Sequence, residues 1–261
     1  MARVHLLQAE DASAPAERVP ARRQSSEFAG RALLVDWDGA VSVSGRFHAG
    51  ALIFLQRHAE RIAIVSNNST DLPEDFSRLL ARHGVRIPPD RILLAGAESL
   101  RIAQGRANGP VMLLGNRRMM AHAKMCGLAM TKTDPGLIVL LRDTQINYRR
   151  LERAANGLRS GAGLIVANPD LTHPGGDGRV TPETGALLAA LLACAHDVPV
   201  KPEIVGKPAA SLYVRALDAL GARVEDAVMI GDNPDTDIAG ARAIGMESVL
   251  VDSKTGVGSL V

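Results

Sequence analysis

The stretch Ala32-Leu33-Leu34-Val35-Asp36-Trp37-Asp38-Gly39 decides how the rest of the chain is read. The apolar run over residues 31–35 has the character of a strand covered on both faces. It ends in two acids and a glycine. Just past a strand end, with Gly39 permitting a turn, both carboxylates can converge on one site. One can then attack as a nucleophile while the other handles a proton. The alternative is a pair of ordinary turn or helix-cap acids.

Three further pieces share that context. Ser66-Asn67-Asn68 follows the apolar residues 62–65, Lys207 follows Ile204-Val205-Gly206, and Gly231-Asp232 follows residues 227–230. Strand ends along one edge of a parallel sheet are where open α/β folds build their sites. Ser66, Asn67, Asn68, Ser69 and Thr70 offer hydroxyls and amides before a helix, suited to a phosphate or to turn chemistry. Asp232, Asp235 and Asp237 form an acidic cluster that, beside Asp36, would repel unless a cation neutralised it. All-oxygen ligation suits Mg²⁺. A solvated acidic loop is the competing account, above all for Asp235. Lys207, fixed between Gly206 and Pro208, can hold a phosphoryl group and balance the acids, or be merely solvated.

Composition sets the bounds. A chain of 261 residues makes one large domain or two modest ones, and 46% hydrophobic residues support a sizeable core. With aromatics at 3%, that core is built of Ala, Leu, Val and Ile. A net charge of +2 argues for neither a nucleic-acid nor a membrane partner. Cys126 and Cys194 form neither a disulfide framework nor a metal-ligand spacing, which fits a reduced, cytoplasmic compartment. No run approaches the ~18 apolar residues of a membrane span, and no secretory signal is expected.

Alternation of strand-like and helix-like segments predicts parallel sheets with right-handed crossovers. Residues 1–28, with Arg18, Arg22 and Arg23, read as a mobile arm. A core domain is expected over 29–104 and 201–261, with strands at 62–66, 91–94, 203–205, 227–230 and 248–251. An inserted α/β domain is expected over 105–200, with strands at 111–114, 137–141 and 164–167. Asp71 is expected to cap the helix that follows it.

The ordered set Asp-x-Asp-Gly, Ser-Asn-Asn, Gly-Lys-Pro and Gly-Asp-x-x-x-Thr-Asp resembles the haloacid dehalogenase (HAD) superfamily of phosphatases. The insert between the second and third motifs resembles the large C2-type α/β cap of the NagD-like subfamily. Asn168-Pro169-Asp170 and the stretch from Thr181 to Ala186 carry the resemblance into the insert. It implies a Rossmann-like parallel-sheet core with an inserted cap, and a Mg²⁺-dependent phosphatase acting on a small-molecule phosphate ester. Asp36 would form an aspartyl-phosphate, and Asp38 would serve as acid and base. Ser66 and Lys207 would hold the phosphoryl group, and Asn67 and Asn68 would line its loop. Asp36, the Asp38 carbonyl and Asp232 would hold the metal, with Asp237 behind them. Gln145 and Asn147 of the cap would meet the leaving group. A homodimer formed through the cap is implied by the same resemblance. A non-catalytic phosphate sensor and a phosphotransferase to an alcohol are the alternatives. Trp37 and Ala40 depart from the family pattern, and the expected consequence is altered packing.

Overall fold

The structure is a computed structural model that describes residues 28–174 and 179–261. The chain enters through β1 (Ala32–Val35) and a short hairpin of β2 (Ser42–Val43) and β3 (Arg46–Phe47). It continues through α1 (Ala51–His58), β4 (Ile62–Ser66), α2 (Pro73–Arg82), β5 (Ile92–Leu94) and α3 (Ala95–Arg106). The insert then runs β6 (Val111–Leu114), α4 (Arg117–Met125), β7 (Leu137–Leu140), α5 (Tyr148–Arg159) and β8 (Gly163–Val166). It closes with a hairpin of β9 (Thr172–Pro174) and β10 (Val180–Pro182), α6 (Thr184–Cys194) and β11 (Glu203–Ile204). The chain returns through α7 (Ser211–Leu220), β12 (Ala227–Gly231), a wide helical turn at Pro234–Ile238, α8 (Ala239–Ala243) and β13 (Glu247–Leu250).

Two parallel sheets result. The core sheet has the order β13-β12-β1-β4-β5, and the insert sheet the order β11-β8-β7-β6. Side chains alternate across β1, because successive residues of a strand point to opposite faces. Leu33 and Val35 pack with Phe54 and Leu55 of α1 on one face, while Ala32 and Leu34 join Leu212 and Tyr213 of α7 on the other. The second cluster does not stop at the core sheet. It runs on through Leu113, Val139 and Ile165 of the insert. A third cluster covers the far face of the insert with Met112, Ile138 and Leu140.

The register sets the site. Val35 pairs with Ile230 and with Ile64, so β1, β12 and β4 finish side by side at their C-terminal ends. The chain builds β4 and β5 on one side of β1 and later returns to build β12 and β13 on the other. The reversal falls between β1 and β12, where doubly wound sheets open a crevice.

Two expectations need correction. Residues 203–205 do not resume the core sheet. Glu203 and Ile204 pair with Ile165 and Val166 of β8, and the Val205 and Gly206 N–H groups donate to the carbonyls of Val166 and Ala167. The chain therefore crosses to the core only at Lys207, as an extension of the insert sheet. Phe28, placed at the end of the arm, is buried with its ring edge-on to Phe54 at 6.3 Å. The rest of that arm, with Arg18, Arg22 and Arg23, lies outside the described residues. No helix among the described residues is long and apolar enough to cross a membrane.

Candidate active site

Asp36 continues β1, and its N–H donates to the Ile230 carbonyl at 2.9 Å, which fixes it beside the end of β12. Its carboxylate is buried and meets Lys207 Nζ at 2.5 Å. The same ammonium meets Asp237 Oδ1 at 2.6 Å. Lys207 is thus enclosed between two carboxylates from opposite sides of the switch point. Oxygens of Asp36, Asp232 and Asp237 lie within 4.8 Å of one another. Glycine at position 39 makes this possible. Its φ is +94°, and an added Cβ would stand 2.1 Å from Asp232 Oδ2.

Crowding and burial govern the charges. Burial raises Asp36 well above the usual carboxylate pKa, with Asp237 and Asp38 adding to the rise and Lys207 opposing it. Burial also pushes Asp232 up to about 6, reinforced by Asp237. Burial alone would lower Lys207, but Asp237 and Asp36 more than offset it and keep the ammonium protonated. The acid cluster still carries more negative charge than one lysine balances. Its donors are all oxygen, which fits a hard divalent cation.

Asp38 stands apart from that cluster. Its side chain is exposed at the mouth of the crevice, where surrounding protein desolvates it and raises its pKa, opposed by Lys207 and His173. Trp37, between the two acids, turns its ring away onto Phe76 and Phe47, with centroids at 4.6 and 5.8 Å. Ala40 is fully buried, and its carbonyl accepts from the Val257 N–H at 2.8 Å. Both departures from the family pattern are packing features of the core.

The loop after β4 is built from its own polar groups. Ser66 Oγ accepts from the Asn68 N–H at 3.1 Å, leaving its hydroxyl proton to donate elsewhere. Asn67 Oδ1 accepts from the Lys207 N–H at 2.7 Å, and Asn67 Nδ2 donates to Asp170 Oδ2 at 2.9 Å and to the Lys207 carbonyl at 3.1 Å. Asn68 Oδ1 accepts from the N–H groups of Thr70 and Asp71. The side-chain amides of Asn67 and Asn68 thus hold Lys207 and the loop. Asp71 does not cap α2; its Oδ2 takes Asn68 Nδ2 and Thr70 Oγ1, while Asp75 Oδ2 accepts from the Leu72 N–H at the helix start.

Gln145 and Asn147 lie in the loop that leads into α5. Asn147 caps α5, accepting from the Arg150 N–H at 3.1 Å. Gln145 lines a cavity between α4 and α5 whose lining includes none of Asp36, Asp232 and Asp237. The insert residues that do reach the crevice come from the ends of β7 and β8 and from the β9–β10 hairpin. Asn168 Nδ2 donates to the Asn67 carbonyl at 2.7 Å, and the Arg142 N–H donates to Ser69 Oγ at 3.0 Å. Glu183 Oε1 takes both His173 Nδ1 at 2.7 Å and Arg142 Nη1 at 3.1 Å. His173 and Glu183 both act electrostatically on Asp38.

Asp170, His173, Glu183 and Tyr213 carried no role in the sequence reading. Tyr213 donates its hydroxyl to the Thr236 carbonyl at 2.8 Å and so steadies the acidic loop from α7. Nothing local marks it, since it sits in an apolar helix. Asp170 and Glu183 lay within quoted motifs, and only the spacing between cap and core reveals their partners.

A doubly wound core, an inserted cap over its strand ends and an acid–lysine cluster between them define the class of capped α/β hydrolases. A haloacid dehalogenase-like hydrolase model matches residues 33–129, and a HAD-hydrolase-like model matches residues 204–259. The chain is 30% identical to a dihydroxyacetone phosphatase of Corynebacterium glutamicum, over 84% of this chain and 80% of that protein. Among solved structures, a p-nitrophenyl phosphatase from Archaeoglobus fulgidus superposes with a TM-score of 0.77 and 28% identity, covering 87% of this chain and 88% of that one. A glycerol phosphate phosphatase from Mycobacterium tuberculosis, in complex with magnesium, superposes with a TM-score of 0.76 and 27% identity, covering 87% and 69%. The chain belongs to the haloacid dehalogenase-like hydrolases and is a phosphomonoester hydrolase.

Proposed function

We propose that this protein is a Mg²⁺-dependent phosphatase of small hydroxylated metabolites that works through phosphoryl transfer to Asp36. The observation that carries this reading is the ammonium of Lys207 set between Asp36 and Asp237 at the switch point of the sheet. Asp36 is the member of the cluster that directly follows the central strand. One of its oxygens attacks phosphorus, and the bond from phosphorus to the ester oxygen breaks. Asp38, with a pKa raised at the crevice mouth, delivers its proton to the departing oxygen. It then takes a proton from the water that hydrolyses the aspartyl-phosphate. Ser66 donates its free hydroxyl proton to the phosphoryl oxygens, and Lys207 holds their charge.

Asp36, Asp232 and the Asp38 carbonyl would hold Mg²⁺, with Asp237 steering its outer waters. The ion supplies positive charge for the phosphoryl oxygens and relieves repulsion among the acids. The names of the relatives support a small polyol-type ester, since dihydroxyacetone phosphatase and glycerol phosphate phosphatase stand among them. His173, tethered through Nδ1 to Glu183, presents Nε2 to the leaving-group hydroxyls. The insert acts as the cap that shields this exchange from bulk water.

Hydrolysis of p-nitrophenyl phosphate with Mg²⁺ and with EDTA tests the reading, with Asp36→Asn as the control. The expected result is metal-dependent turnover that falls at least about a thousandfold in the variant. Full activity in Asp36→Asn ends the aspartyl-phosphate mechanism.

A further inference from the structure

The insert contains a cavity of about 490 Å³ on the side of β6 facing α4 and α5. That size is within the range of small-molecule sites, on the order of 300–1,000 Å³. Met112, Leu114 and Met120 give it an apolar floor, while Arg117, Lys124, Lys132 and Arg153 stand around it. Among the described residues no carboxylate side chain lines it.

Five cations line the cavity, and among the described residues four of them stand without an acid. Arg150 on α5 is the exception in the lining and meets Asp143 Oδ2 at 2.5 Å, while Arg118 on α4, outside the lining, is paired with Asp75. Arg106 at the end of α3 is paired with Glu203, and Arg159 at the end of α5 meets Asp197 at 2.6 Å. Arg117, Lys124, Lys132 and Arg153 have no side-chain partner among the described residues. Four like charges around one apolar hollow repel each other, and a bound anion relieves that repulsion.

We propose that this cavity is a second ligand site, separate from the Asp36 cluster, for an organic polyanion of the nucleoside di- or triphosphate class. The phosphates meet the arginines and lysines of the rim. Arg117 and Arg153 offer the planar fork that suits phosphate oxygens. The base and ribose lie on the methionine floor, which adapts to flat apolar groups. Gln145 supplies a neutral donor and acceptor to the heterocycle. The site touches the 142–147 loop, whose first residue bonds Ser69 of the core, so its ligand sits one loop away from Ser66.

Isothermal titration of the full chain in EDTA tests the proposal, with ADP, ATP and inorganic pyrophosphate as probes. Saturable binding of ADP or ATP is expected with a Kd below about 1 mM. Lys124→Glu combined with Arg153→Glu is expected to weaken it at least about tenfold, while Lys207→Met leaves it unchanged. Turnover of p-nitrophenyl phosphate by the double variant, within about twofold of the parent, shows that it is folded. Absence of saturable nucleotide binding overturns the proposal, as does equal affinity in the double variant or loss of binding in Lys207→Met. Pyrophosphate binding as tight as that of ADP would remove the nucleoside from the assignment.

Discussion

Lys207 carries its charge in a place where charge survives only with partners. Removing one member of a buried ion pair leaves the others unbalanced, at a cost of about 3–5 kcal/mol. Lys207→Met is therefore expected to lower unfolding free energy by about that amount in metal-free urea titrations, with Mg²⁺ restoring part of it. Gly39 makes a different kind of contribution. An alanine there would bear φ +94° and push its Cβ against Asp232. Gly39→Ala should raise the Mg²⁺ concentration needed for half-maximal activity by about tenfold or more, while circular dichroism stays native. Asp36, Asp38, Ser66 and Lys207 were legible in the sequence because each ends a recognisable apolar run. The ties of Asn67 to Asp170 and Lys207 were not, because they join residues more than a hundred positions apart.

At the scale of elements, the loop after β4 is the hinge pin between the two sheets. Asn67, Ser69 and Thr70 accept or donate bonds to Asp170, Asn168, Arg142 and Asn116 of the insert. Asp170→Ala frees Asn67 Nδ2 and loosens the backbone of Lys207. A fall in kcat of about ten- to a hundredfold is expected, with little change in melting temperature. The acidic loop after β12 gives a pH signature. Asp232 is raised from the ordinary carboxylate range to about 6, so the metal-free fold binds its proton more tightly than the unfolded chain does. Its ionisation therefore costs stability as pH rises from about 4 through 6, and that cost is fully present above 6. In EDTA, Asp232→Asn should melt higher than the parent at pH 7.5 and equal to it near pH 4. Periodicity announced the long strands, whereas β11 was misassigned. A strand of two residues has no pattern of its own, and only its hydrogen bonds to β8 decide its sheet. The β9–β10 hairpin escaped for the same reason, and with it His173 and Glu183.

Across the whole molecule, the two sheets share one apolar cluster that runs from Leu34 and Tyr213 through Leu113 to Ile165. Such continuity predicts a single calorimetric transition, with calorimetric and van't Hoff enthalpies in agreement, and two separate transitions would contradict it. The same arrangement places the cap's polar ends directly over the switch point, where the chain order opens a crevice between β1 and β12. Core and cap together enclose Asp36, for which a covalent role is proposed. Under the proposed mechanism, replacing Asp38 with asparagine removes the base that discharges the intermediate and leaves the nucleophile in place. Mass spectrometry of Asp38→Asn, quenched in acid after mixing with Mg²⁺ and p-nitrophenyl phosphate, reads that role most directly. A gain of about 80 Da on the peptide containing Asp36, absent from the Asp36→Asn protein, is the expected result. Continued phosphate release from Asp38→Asn at the parent's rate, with no phosphoryl group on Asp36, would contradict it.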